Sequence, residues 1–143
     1  MPARTIFLIA GEPSGDTRGA ELVRALKAID PNFQFKGLGG PQMKSAGVDL
    51  LYPLASLAAI GFGDVLKNYF HIRRIFYQAL AQVEEIKPAA IVLIDYPGFN
   101  LRFAKKIKNR FPVFYYISPQ VWAWGRRRIK RCIFRIDAPF FPK

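Results

Sequence analysis

Apolar runs of strand length alternate with segments of helical period along the chain. Thr5–Ala10 (TIFLIA), Phe33–Leu38 (FQFKGL), Ala89–Ile94 (AAIVLI) and Val113–Ile117 (VFYYI) read as strands. The first, third and fourth are nearly continuous hydrophobics, the pattern of central parallel strands covered on both faces. Between them, Leu22, Val23, Leu26 and Ile29 share one helical face. Ile72, Ile75, Phe76, Ala79, Leu80, Val83 and Ile86 make a longer face, which Pro88 ends. Leu101, Ala104 and Ile107 predict a further helix over Leu101–Arg110. This alternation predicts an α/β fold: a doubly wound, mostly parallel, Rossmann-like sheet. No internal repeat, low-complexity stretch or linker interrupts it, so residues 1–143 read as one domain.

In such sheets the ligand site lies at the carboxyl ends of the strands, which directs attention to the segments that follow them. Gly11-Glu12-Pro13-Ser14-Gly15-Asp16 follows the first strand. Gly11 and Gly15 permit positive φ and close backbone approach, and Ser14 or Asp16 can cap the next helix. The segment reads as a polar loop bringing N–H groups, a hydroxyl and a carboxylate to a ligand; a simple capped turn is the alternative. It is neither a Walker loop nor G-x-G-x-x-G. Gly37-Leu38-Gly39-Gly40-Pro41 follows the second strand and is equally consistent with a tight turn.

Asp95-Tyr96-Pro97-Gly98-Phe99-Asn100 follows the strand AAIVLI. A carboxylate at the end of a buried strand suits a general base, and Asn100 could orient a sugar hydroxyl or cap a helix. An Asx turn made with Pro97 and Gly98 is the plainer reading of Asp95. The fourth segment, Ser118-Pro119-Gln120-Val121-Trp122-Ala123-Trp124-Gly125, runs into five cations within Arg126–Arg131. Two Trp residues beside so many cations suggest a phosphate-bearing or interfacial partner.

Charge sharpens this picture. The formal net charge is +12, yet residues 1–100 balance to +1 while residues 101–143 carry +11. The last third is a cationic surface suited to phosphate, nucleic acid or an acidic membrane. Nucleic acid is not the expected partner, because the cations cluster at one end without a recognisable module. One cysteine, Cys132, excludes an internal disulfide and a Cys-based zinc site. No secretory signal is apparent in Ile6–Gly11, and the charge-free stretches Leu50–Gly63 and Phe111–Gly125 are too short to span a bilayer. Leu54–Phe70 is a different case: Ile60, Phe62, Leu66, Tyr69 and Phe70, with Lys67, Arg73 and Arg74 alongside, could dip into a membrane interface. A buried helix would show a similar pattern. His71 reads as a surface or packing residue, and Cys132 as a small buried apolar one.

The stretches AGEPSGD (Ala10–Asp16), GLGGPQM (Gly37–Met43), IDYPGFN (Ile94–Asn100) and YYISPQVWAWGRRR (Tyr115–Arg128) resemble, in this order, the N-terminal part of the lipid-A-disaccharide synthase family. The resemblance implies the N-terminal, acceptor-side half of a GT-B glycosyltransferase. It also implies transfer of 2,3-diacylglucosamine from its UDP derivative to 2,3-diacylglucosamine 1-phosphate, with inversion and release of UDP. Asp95 matches the motif aspartate and would remove the acceptor 6-hydroxyl proton. Glu12 and Ser14 match first-loop residues near the reacting sugars. Gly11, Gly15, Asn100, Ser118, Gln120, Trp122 and Arg126 would contact substrate. No cofactor and no metal is implied, and the expected location is cytoplasmic, peripheral on the inner membrane.

Family members are more than twice this length, so the resemblance leads us to expect a chain lacking the UDP-sugar donor domain. A separate C-terminal half could complete it, and alone it would turn over little. The competing expectation is a non-catalytic domain that binds anionic lipid or a membrane surface.

Overall fold

The computed structural model describes residues 4–59, 65–107 and 110–116. Five parallel strands form one sheet: β1 (Thr5–Ala10), β2 (Gln34–Leu38), β3 (Asp49–Tyr52), β4 (Ala90–Ile94) and β5 (Val113–Tyr116). Their spatial order is β3-β2-β1-β4-β5. Among the described residues the helices are α1 (Pro13–Ile29), α2 (Pro41–Ala46), α3 (Leu54–Ala59), α4 (Val65–Ile86) and α5 (Pro97–Lys106). This is the doubly wound parallel sheet that the hydrophobic pattern predicts.

Side chains of β1 alternate between two cores, which explains its unbroken hydrophobic sequence. Ile6, Leu8 and Ala10 join Ala20 and Val23 of α1 and Met43 and Ala46 of α2. Phe7 and Ile9 join Ile75, Phe76, Ala79 and Val83 of α4 and Phe99 and Phe103 of α5. The second core is built on aromatic rings. Phe7 and Phe103 stack with centroids 6.4 Å apart, and Phe76 meets Phe99 and Phe103 edge-on at 5.1 and 5.6 Å. Such offset and edge-to-face contacts are the favoured aromatic geometries.

Three local expectations change. β3 is an additional edge strand of four residues with alternate positions exposed. GLGGPQM is more than a turn: Gly37 and Leu38 belong to β2, and Pro41 opens α2. The last helix begins at Pro97 rather than Leu101, because proline at the first helical position costs no hydrogen bond. Pro97 and Gly98 therefore form helix, not the turn of an Asx motif. Among the described residues no helix is long and apolar enough to cross a membrane.

Candidate functional site

The strand order reverses between β1 and β4. β1 connects through α1 to β2 on one side, whereas β4 lies on the other and leads to β5. In parallel sheets a crevice forms outside the carboxyl ends of the strands at such a switch point. Ala10 pairs with Ile94, so Gly11–Glu12 and Asp95–Tyr96 emerge side by side. The first and third segments singled out in the sequence thus meet here.

Both loops run directly into helices that open with proline. Glu12 and Tyr96 occupy the N-cap positions of α1 and α5, and neither supplies a capping hydrogen bond from its side chain. The first intrahelical bonds are Asp16 N to Glu12 O at 2.9 Å and Asn100 N to Tyr96 O at 3.0 Å. Helix geometry leaves the amides of Ser14 and Gly15, and of Gly98 and Phe99, without an intrahelical acceptor. Two partly positive helix ends therefore flank the crevice, an arrangement that favours anionic groups.

Asp95 and Tyr96 take left-handed backbone, with φ of 46° and 48°. For residues bearing a Cβ this costs roughly 1–2 kcal/mol each, so the surroundings must hold the turn. The Asp95 carbonyl accepts two hydrogen bonds of 2.7 Å, one from Asn100 Nδ2 and one from the Tyr115 hydroxyl. Asn100 Nδ2 also lies 3.4 Å from the carbonyls of Ile9 and Ile94, so one carboxamide touches the ends of both central strands. Asn100 is fully buried, and its Oδ1 has no partner among the described residues.

The Asp95 side chain is half-buried and makes no hydrogen bond or ion pair among the described residues. Glu12 is likewise half-buried with no such partner, and Ser14 is exposed on the first turn of α1. At Gly98, three positions after Asp95, an added Cβ would meet nothing within 4 Å among the described residues. The Tyr96 ring crosses the crevice. It stacks on Phe99 with centroids 5.9 Å apart and lies against Gly11, where any Cβ would collide with the ring. Burial, and secondarily the charge of Glu12, pushes the Tyr96 phenol above its ordinary pKa of about 10. It therefore remains a proton donor at neutral pH.

Gly11 and Gly15 do not use positive φ; Gly37 and Gly47 are the glycines that do, among the described residues. Gly11 is required by the approach of Tyr96, and Gly15 sits buried in α1, where a Cβ would meet Ala10 and Ile94 at 3.4 Å. Neither Ser14 nor Asp16 caps α1. Asp16 is instead buried at 3% exposure and accepts the amides of Gly40 (3.0 Å), Gln42 (3.0 Å) and Met43 (2.8 Å). Its carboxylate caps α2, joining the loop after β2 to the first turns of α1. The sequence assigned no role to Tyr96 or Tyr115, and it gave Asp16 a cap of the wrong helix.

Among the proposed membrane contacts, Tyr69 and Phe70 are exposed on α4 at 52% and 63%, and Leu66 falls on the first turn of that helix. Ile60, Phe62, Ser118, Gln120, Trp122, Arg126 and Cys132 lie outside the described residues. His71 is exposed and bonds Tyr52 Oη through Nε2 at 2.6 Å. A concavity of about 350 Å³ lies at the opposite end of the sheet, lined by Lys27, Phe33, Phe35, Lys36 and Asp49. Lys27 there is already committed to the Ala46 carbonyl at 2.8 Å. Among the described residues no three His, Cys, Asp or Glu side chains assemble as ion ligands.

The family model described as lipid-A-disaccharide synthetase matches residues 6–138. A lipid-A-disaccharide synthase of Trichlorobacter lovleyi is 46% identical over 129 residues, 90% of this chain and 34% of that protein. One of Coxiella burnetii is 42% identical over 132 residues, 92% of this chain and 35% of that protein. The chain thus spans about a third of the length of the curated relatives it matches. Among solved structures, the calicheamicin glycosyltransferase CalG4 overlaps with a TM-score of 0.42 at 12% identity, over all of this chain and 40% of its own, a likeness too slight to argue from. Since the family match runs through β1, β4 and the two loops that meet at the switch point, the chain belongs to the lipid-A-disaccharide synthetase family.

Proposed function

We propose that this chain is the acceptor-side domain of a GT-B glycosyltransferase of lipid A assembly. The reaction passes 2,3-diacylglucosamine from its UDP derivative to 2,3-diacylglucosamine 1-phosphate and releases UDP. One observation carries the reading: in a member of this family, Asp95, a carboxylate without a partner among the described residues, stands on a strained turn at the switch point between β1 and β4.

As the acceptor 6-oxygen bonds to the donor C1, its proton passes to the Asp95 carboxylate. The C1–oxygen bond to UDP breaks on the opposite face, and UDP leaves with the electron pair, which inverts the anomeric centre. Positioning supplies much of such a rate, because base, hydroxyl and leaving group must align. Glu12, Ser14 and the neutral Tyr96 phenol line the same crevice and would orient sugar hydroxyls. The open helix ends of α1 and α5 favour anionic groups, and the cationic residues 101–143 would hold the acceptor phosphate or the membrane. The two thirds of the relatives beyond this match would carry the UDP-sugar donor site, and residues 1–143 by themselves would show little or no turnover.

The test joins this chain to the remaining two thirds of the Trichlorobacter lovleyi relative and measures disaccharide formation. Asp95→Asn should lower kcat about a thousandfold. A variant rate near that of the parent removes Asp95 from the reaction.

A second reading, a non-catalytic domain that binds anionic lipid, draws support from the exposed Tyr69 and Phe70 and the adjacent exposed Arg73 and Arg74. It predicts vesicle binding indifferent to Asp95→Asn. The first reading carries with it a peripheral position on the cytoplasmic face of the inner membrane.

A further inference from the structure

We propose that Tyr115 is a positioning residue for the base, setting the direction of the Asp95 side chain through the Asp95 carbonyl. The inference rests on the reading of Asp95 as the proton acceptor and names what holds it. A carbonyl oxygen has two lone pairs, and at Asp95 both are engaged, by the Tyr115 hydroxyl and by Asn100 Nδ2, each at 2.7 Å. Two donors on one oxygen fix the plane of the peptide joining Asp95 to Tyr96. That plane determines ψ of Asp95 and φ of Tyr96, the torsions of a turn that neither residue favours by itself.

The two donors come from different places. Asn100 belongs to the helix that follows the turn and touches strand ends on both sides of the crevice. Tyr115 stands on β5, where Leu93 of β4 pairs with it, and its ring packs against the aromatic core. β5 thus reaches across the carboxyl end of β4 to grip the residue after it. Without the hydroxyl, the Asn100 bond alone leaves the turn able to relax toward ordinary backbone, and the carboxylate swings with it.

Tyr115→Phe deletes one oxygen and keeps the ring in its packing. In the 143-residue chain, NMR shifts and φ-sensitive couplings of Asp95 and Tyr96 should leave their left-handed values, while those of α1 stay in place. In the enzyme completed with the relative's remaining two thirds, kcat should fall by about ten- to a hundredfold, the scale of an ångström-level misplacement. KM for both substrates should stay within about twofold, because no substrate contact is removed. Tyr116→Phe, at the exposed neighbouring position, should change neither readout.

Persistence of the left-handed signature in Tyr115→Phe overturns the proposal, as does a moved turn with unchanged kcat. Asp95→Asn separates this from the underlying reading, since it should lower kcat about a thousandfold and leave the backbone signature intact. If Asp95→Asn is active, the reading of Asp95 fails and the positioning role falls with it. If Asp95→Asn is inactive and Tyr115→Phe fully active, only the role of Tyr115 is lost.

Discussion

Asp16 lends its charge to a helix other than its own. Its two oxygens take three amides at the start of α2, and charge-assisted bonds to backbone N–H groups are among the stronger ones available. Asp16→Ala should destabilise the fold by about 3 kcal/mol, because it strands those donors in a buried place. Urea unfolding measures this directly, and a loss under about 1 kcal/mol would mean that water replaces the carboxylate. The sequence showed Asp16 beside α1 and suggested a local cap. Its partners lie 24 to 27 positions onward, a separation no spacing rule reaches. One signal was present: Gly40-Pro41 starts a helix without a capping side chain, so that cap had to come from elsewhere. Tyr115 was hidden for the same reason, its acceptor lying 20 positions back. Glu12, Asp95 and Asn100 were legible because each sits in a short polar segment directly after a hydrophobic run.

At the level of elements, nearly continuous hydrophobic runs identified β1, β4 and β5 within a residue or so, since strands covered on both faces cannot be confused with surface, while β2 was legible from apolar residues interrupted by Gln34 and Lys36. β3 escaped because an edge strand of four residues alternates like a loop. The start of α5 was misplaced because Pro97 and Gly98 were read as a turn, whereas Pro97 opens the helix. Gly37 ties two elements together: its φ is 151°, and a Cβ there would collide with the Leu8 carbonyl of β1. Gly37→Ala should therefore cost more than about 2 kcal/mol, combining backbone strain with a parting of β1 and β2. A thermal midpoint within two degrees of the parent would show that the strands can separate without penalty.

At the scale of the whole molecule, charge and apolar exposure are unevenly distributed. Tyr69, Phe70 and Tyr77 are exposed on α4, Arg73 and Arg74 lie between them, and the sequence beyond residue 100 carries most of the positive excess. Basic residues near an anionic bilayer contribute about 1 kcal/mol each, an attraction that salt screens. The chain should cosediment with anionic vesicles, weakening several-fold between about 50 and 500 mM salt, and the double change Tyr69→Glu, Phe70→Glu should lower affinity about tenfold. Absence of binding at low salt would remove the membrane from the reading.

The carboxamide of Asn100 has a mechanical corollary. Since its amide nitrogen reaches carbonyls of both β1 and β4, the two middle strands share one cross-tie beside the crevice, independent of the ladder between them.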